Sequence, residues 1–394
     1  MEPDSRRLLL LVDSEDFWRA LRADIAGARD RIWAQTLSFE GDTAGKGLAR
    51  AVEESRAPDR RILVDRFTRW VQNDRFLFSP TALADEELQA EVEETDRMIR
   101  SLVQAGVAIR WGSPIGLFGR RAAWRNHRKL VLIDGSICYL GGINFTDHNF
   151  QWHDLMLRVE DRDVSAFCSR GFERSWQGLR CSEQAQFEGI EVLNIDPPDL
   201  TPYQRIWSAI SEVRNEIFVE SAYLTLPLSD SLANAARRGV KVRILSPDEN
   251  NVRLFRRYIT WEAERNQFDL RFLPGMTHMK AVLLDRHVLI IGSSNLHFTG
   301  HRTQNETMAL VTDPGLVRDF IDRVAEPDWA RSKPSVGSES RSGKTLRLGM
   351  KAYMCVADLS GRGRPCAPRD AGSTLPAQAR KGRSRRRTDR MSVR

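Results

Sequence analysis

His127, Lys129, Asp134, Gly141 and Asn144 recur 151 residues later as His278, Lys280, Asp285, Gly292 and Asn295, within two nineteen-residue stretches, HRKLVLIDGSICYLGGINF and HMKAVLLDRHVLIIGSSNL. Val131 and Leu132 also recur, as Val282 and Leu283. Packing alone selects repeated valine and leucine, but not a repeated imidazole, ammonium, carboxylate and amide. A histidine attacks phosphorus or passes a proton near neutral pH. Lysine ammonium groups and asparagine amides offset the charge of non-bridging phosphoryl oxygens. The set suits transfer of an anionic phosphoryl group, with no metal and no cofactor expected.

The elements that must position these groups are legible in the same stretches. KLVLID and KAVLLD read as buried strands, and side chains two apart on a strand share a face. His127 and Lys129 therefore look one way, as do His278 and Lys280. Two such copies facing each other across a pseudo-twofold place two imidazoles in one positive pocket. Asp134 and Asp285 fall on the opposite parity and read as anchors of the strand ends, while Gly141 and Gly292 read as points of close backbone approach. Around the motifs, FWRALRADIAGARDRIWAQTLSF and YQRIWSAISEVRNEIFVESAYL each read as an amphipathic helix feeding a strand. GKGLARAVEESR then RRILVDRF, and SDSLANAARRGV then KVRILSPD, repeat that alternation. It predicts an α/β fold of two similar halves, each a mixed sheet flanked by helices, with the active site between them. The expected divisions are 1–185, 186–330 and a tail at 331–394.

From the RIWAQ and EIFVE strands the offset is 185, so the first half holds about 34 extra residues, expected at 68–100. That insertion begins with Trp70, Phe76 and Phe78, a candidate substrate-facing lip or a plain loop and helix. Just before the first motif, Arg120, Arg121, Arg125 and Arg128 surround Trp124, with Leu117 and Phe118 upstream. Such a loop offers charge to phosphates and apolar tips to lipid chains or bases.

The five cysteines show no CxxC spacing, which argues against a disulfide framework or a zinc site. LLLLV at 8–12 runs into Asp13, Glu15 and Asp16 and reads as a first strand rather than a signal peptide. No stretch approaches the roughly 18 apolar residues of a membrane span, so the expected location is cytoplasmic, peripheral at the membrane. The net charge of +7 is unevenly spread: residues 331–394 hold 17 basic residues against 4 acids, leaving 43 against 49 in residues 1–330. Rich in Gly, Ser, Pro and Arg, the tail reads as disordered, either an electrostatic attachment to anionic lipid or nucleic acid or a solvated extension.

The pattern H-x-K-x4-D followed by G-G/S-x-N resembles the phospholipase D superfamily, whose members carry two such motifs in similar halves, and the similarity covers roughly residues 8–327. The resemblance brings Asp134 and Asp285 into the motif's catalytic set. It implies a two-step displacement, with one histidine forming a phosphohistidine and the other protonating the leaving group; His127 is taken as nucleophile and His278 as acid. In the second half it extends to Ser293 and Glu306, a carboxylate that orients a catalytic histidine. The first half departs: Gly142 replaces the serine and the nearest acid is Asp154. LVQAGVAIRWGSP, RNHRKLVLIDG and HDLMLRVEDRDV are most similar to bacterial cardiolipin synthase-like members, implying a phospholipid substrate, phosphatidylglycerol as donor and acceptor, and contact with an anionic membrane. The alternative is a metal-independent nuclease, which GSSNLHFTGHRTQNE and the basic tail also fit. A catalytically idle module is disfavoured by the two complete His-Lys pairs.

Overall fold

The computed structural model describes residues 8–113, 123–336, 343–360 and 369–370. The first half runs β1 (Leu8–Val12), α1 (Asp13–Gly27), β2 (Arg31–Thr36), α2 (Thr43–Glu54), β3 (Asp59–Asp65), a hairpin β4 (Val71–Gln72) and β5 (Arg75–Phe76), α3 (Pro80–Leu83), α4 (Glu86–Gln104), β6 (Ala108–Gly112), β7 (Arg125–Asn126), β8 (Leu130–Ile133), β9 (Ile137–Gly141), α5 (Asp147–Gln151), β10 (Leu155–Glu160) and α6 (Arg162–Trp176). The second runs β11 (Glu183–Phe187), β12 (Ile190–Ile195), α7 (Thr201–Glu212), β13 (Glu216–Ser221), α8 (Leu228–Arg237), β14 (Lys241–Pro247), α9 (Arg253–Asn266), β15 (Asp269–Leu273), β16 (Lys280–Leu284), β17 (Val288–Gly292), α10 (Phe298–Thr303), β18 (Gln304–Val311), α11 (Pro314–Phe320), α12 (Glu326–Arg331) and β19 (Lys333–Pro334). Because β11 starts at Glu183, the expected division at 185/186 cuts through a strand.

The duplication is complete at the level of topology. The shared seven strands run β1-β10-β9-β8-β2-β3-β6 in one sheet and β12-β18-β17-β16-β13-β14-β15 in the other, where β11 and β19 add at the two ends. The parallel and antiparallel pairings correspond throughout. Amphipathic helices cover the outer faces; α1, for example, buries Phe17, Leu21 and Ile25 at four-residue spacing and carries Asp13, Glu15 and Asp16 at its positive end. A central apolar layer joins the halves: Leu130, Leu132, Leu140 and Leu157 of the first sheet, Leu283, Leu289, Ile291 and Val311 of the second, with Phe167 and Phe172 of α6 and Phe320 of α11. Since β8 and β16 are covered on both faces, they read as continuous apolar runs rather than alternating ones.

The extra length of the first half falls in two places rather than one. Residues 66–107 separate β3 from β6 where 248–268 separate β14 from β15, and a second excess lies between β6 and the first motif. The tail also differs from expectation. Residues 343–360 form a helix, α13 (Gly343–Ser360), with Met350 buried against Tyr258 and Leu226, and Leu346 and Met354 packed alongside. Arg347 pairs with Asp230 and Glu262. The basic blocks beyond 361 dominated the composition and hid the apolar spacing of this segment. A short strand, β20 (Arg369–Asp370), adds to β6.

Asp134 and Asp285 do not face the site that the motifs build. Each sits at positive φ in the turn after its strand, 49° and 46°, and its carboxylate collects three backbone N–H donors: those of Arg29, Asp30 and Arg31 for Asp134, and those of Arg214, Asn215 and Glu216 for Asp285. The motif aspartate thus fixes the entry to the neighbouring strand, β2 or β13. Burial works against each charge, but the three donors hold both carboxyls below their usual range. Asp134→Ala is expected to lower stability by about 1–3 kcal/mol at neutral pH, read from the denaturant midpoint, with kcat of the folded enzyme near wild type. The difference should vanish in acid, below the usual aspartate range near ~3.9, because a depressed pKa stabilises only while the group is ionised.

Candidate active site

Each motif histidine is tied by its backbone to the other half. β7, just before His127, pairs in parallel with Gln304 and Asn305 at the start of β18, and His127 N donates to Asn305 O (2.9 Å). In the second motif, Thr277 bridges to His153 and His278 N donates to His153 O (2.7 Å). The residues that follow those acceptors are the two acids, Glu306 and Asp154. Each carboxylate therefore serves the histidine of the opposite motif.

His127 Nδ1 lies 3.2 Å from both oxygens of Glu306, which also accepts from Ser293 Oγ. Asn295 Nδ2 is 3.4 Å from His127 Nε2. A donor at Nε2 and a carboxylate at Nδ1 place the ring proton on Nδ1 and leave a lone pair on Nε2. His278 Nδ1 is 2.7 Å from Asp154 Oδ2, with Lys280 Nζ 3.3 Å from that oxygen and 2.6 Å from Nδ1. Lys129 Nζ donates to His127 O (2.8 Å). The first half lacks the serine for a steric reason: a Cβ on Gly142 would stand 2.3 Å from the Asp154 carboxylate, which occupies that space itself. Gly141 and Gly292 are close approaches of the same kind, each with a virtual Cβ 2.4 Å from a carbonyl oxygen of the adjacent strand.

These groups are all buried, and burial sets their protonation. It lowers the pKa of His127, aided by Lys129 and opposed by Glu306, and takes that of His278 down to about 3, aided by Lys280 and opposed by Asp154. It brings Lys129 to about 7 and Lys280 to about 8, against the pull of the carboxylates. Burial alone would raise Asp154 and Glu306, yet the neighbouring cations and hydrogen bonds hold both below their ordinary values.

The histidines open into a cavity of about 230 Å³, lined by Asn144, Asn295, Trp152, Tyr223 and Phe255 among others. Lys129 and Lys280 stand behind the imidazoles rather than in this wall, so their charge acts through the field. Asn144 is engaged by Thr36 Oγ1 (3.3 Å) and Asn149 Oδ1 (2.6 Å). Two further histidines that the motifs do not contain, His148 and His297, join the wall. His297 caps α10: its Nδ1 accepts from Gly300 N (2.8 Å), and its ring stacks on Phe255 at 5.5 Å. The remaining proton is then on Nε2. The only sequence signal for it is position, 151 residues after Thr146, which caps α5 in the same way.

Of the arginine-rich loop, Arg120, Arg121, Leu117 and Phe118 lie outside the described residues. Trp124 is half-buried beneath Arg180 (6.0 Å) and does not line the cavity. Arg125 does line it and pairs with Asp65 (3.1 Å), whereas Arg128, 1% exposed, is committed to Asp196, Glu306 O and Ser175. Its charge holds the halves together rather than meeting substrate. Among the described residues two groups could gather a cation, His153 with Glu220 and Asp328, and Glu40 with Asp42 and Glu91; neither lines the cavity. Burial opposes charge on His153, but Asp13 and Asp328 on its two nitrogens lift it to about 10.

A family profile described as "Cardiolipin synthase, PLD-like domain" matches residues 21–176 and 206–329. Among curated proteins, the chain is 26% identical over 377 residues to cardiolipin synthase A of Pseudomonas entomophila, covering 89% of this chain and 74% of that protein. It is 23% identical over 347 residues to the cardiolipin synthase of Listeria welshimeri, covering 80% and 68%. In structure it is similar to phosphatidylserine synthase of Haemophilus influenzae (TM-score 0.64, 14% identity, 90% of this chain and 94% of that one) and to polyphosphate kinase of Porphyromonas gingivalis (0.55, 16%, 89% and 56%). At these identities the structural likenesses establish the fold.

The lysine shifts yield a test. Loss of ammonium charge as pH rises through about 7 to about 8 removes attraction for a phosphoryl anion, so kcat/KM for a diester that does not titrate there should fall across that range. A flat profile would show that the lysine charge contributes nothing.

Proposed function

Because the chain belongs to the phospholipase D-like family of the cardiolipin synthases, we propose that it is a phosphatidyltransferase acting on phospholipids through a phosphohistidine, with phosphatidylglycerol as both donor and acceptor. The observation that carries this reading is the crosswise pair of imidazoles, each oriented by the other half's carboxylate and both opening into one cavity. His127 Nε2, whose lone pair faces the donor amide of Asn295, attacks phosphorus. The bond from phosphorus to the headgroup glycerol oxygen breaks, and His278 delivers a proton to that oxygen. Burial holds His278 neutral in the empty site; the phosphodiester anion supplies the charge that favours its protonated form. Glycerol leaves.

In the second step His278 takes the proton from a hydroxyl of another phosphatidylglycerol. That oxygen attacks phosphorus, the phosphorus–nitrogen bond breaks, and His127 is regenerated. Lys129, Lys280 and Asn295 offset the charge on the non-bridging oxygens. Among the described residues no helix is long and apolar enough to cross a membrane, so contact with lipid is assigned to the surface of this unit.

His127→Ala and His278→Ala should each cost roughly 10²–10⁴-fold in turnover with the fold intact. Incubated in chelator, the protein should convert phosphatidylglycerol vesicles to cardiolipin and glycerol, and an added short alcohol should appear as a phosphatidyl-alcohol. Cleavage of single-stranded DNA without any phosphatidyl product would replace this reading with a nuclease. Phosphatidic acid alone would make the enzyme a hydrolase, and activity lost to chelator and restored by one metal would overturn the metal-independent step.

A further inference from the structure

The mouth of the cavity is framed by two segments, one from each half. The β4–β5 hairpin turns at Asn73 and Asp74, both at positive φ (47° and 56°), the backbone of a tight two-residue turn. Asp74 at its tip lines the cavity and accepts from Asn251 Nδ2 (3.2 Å), while Asn251 and Val252 lead into α9 and line the cavity from the other side. Just outside that contact, large apolar side chains stand in solvent: Phe76 (51% exposed) and Phe78 (60%) on the hairpin side, Val252 (37%) and Leu254 (40%) on the other. Of nine exposed large hydrophobics among the described residues, these four lie within four residues of the contacting Asp74 or Asn251. Such a concentration at one opening is not how scattered surface leucines distribute.

Charge is arranged to match. On the hairpin side Arg75 pairs with Asp85, Arg69 with Asp96, and Asp74 accepts from the Asn251 amide. On the α9 side Arg253 and Arg257 are exposed beside Val252 and Leu254, with Asp248 and Glu249 as the nearby acids. Apolar tips with arginines beside them suit the boundary between acyl chains and anionic headgroups. The cavity's size points the same way: about 230 Å³ is below the roughly 300–1,000 Å³ of sites that enclose drug-sized ligands. It takes a phosphoryl headgroup and leaves two acyl chains outside.

We infer that Phe76 and Phe78 of the hairpin, with Val252 and Leu254 at the start of α9, form a docking rim that inserts into the surface of an anionic phospholipid bilayer and sets the cavity mouth on the headgroups. The inference rests on the phospholipid reading above. The rim admits the headgroup while the chains stay in the bilayer, so it is needed for substrate in membranes and not for dispersed substrate.

The test uses the full chain carrying Phe76→Ser and Phe78→Ser together and, separately, Leu254→Ser as a milder change in the other half. Binding to phosphatidylglycerol vesicles is measured by sedimentation at high salt, which suppresses exposed long-range attraction, including that of the basic tail. Turnover is measured on vesicles and on short-chain phosphatidylglycerol below its aggregation concentration. Vesicle binding and vesicle turnover are expected to fall about tenfold or more in the double variant and severalfold in the single one, with short-chain turnover close to wild type. Unchanged vesicle binding in both variants, no vesicle binding by the wild type, or equal losses on the two substrates would each overturn the inference. If the wild type turns over no lipid at all, the functional reading fails, while the binding comparison still decides whether the rim docks.

Discussion

Everything in the site depends on one exchange: each imidazole is held by a carboxylate from the opposite half. Four ionisable groups, two lysines and two acids, are buried with the two histidines where each alone would be costly. They are tolerable together because the charges balance, Lys280 against Asp154 at 3.3 Å and Glu306 against His127 and Lys129. Removing one partner would leave the other uncompensated. The central apolar layer and the buried Arg128–Asp196 pair close the halves on each other, and only that closure creates the pairing. A separated half would contain a histidine and an acid with nothing to orient either.

Within this symmetry the two sites are unequal, and the inequality has a steric origin. Glu306 reaches His127 from the length of its extra methylene and leaves room for Ser293, whereas the shorter Asp154 fills the space over Gly142. His127 then meets a donor amide at Nε2, and His278 is pressed against Lys280. Two titratable groups set in different surroundings are what a nucleophile and an acid require. The same inequality extends to the two short helices beside the cavity, where Thr146 caps one and His297 the other.

The fold and the heart of the site were legible because chemistry had repeated them. A repeated histidine and lysine on one strand face, and an aspartate on the other parity, separate the side chains gathered at the site from those that anchor backbone. The crosswise assignment was not legible, since neighbours along the chain suggest that Asp154 and Glu306 serve their own motifs. Nor was the withdrawal of the lysines behind the imidazoles, which depends on side-chain length rather than on strand parity. Arg125 and Arg128 looked like surface charge because a loop of arginines carries no periodicity to mark its buried members. Helix α13 was hidden for a related reason: its spacing of Leu346, Met350, Tyr353 and Met354 lies beside basic blocks that dominate the composition. His297 stands at the repeat position of Thr146 but is a different residue type, and only the folded chain brings its ring to the cavity.

The central claim is the crosswise pairing, and nitrogen NMR of ¹⁵N-histidine-labelled protein tests it most directly. Glu306→Gln should shift the ring nitrogens of His127, which belongs to the other motif, and leave those of His278 nearly in place; Asp154→Asn should do the reverse. Perturbation of His278 by Glu306→Gln and of His127 by Asp154→Asn would contradict the account, because each acid would then serve its own half.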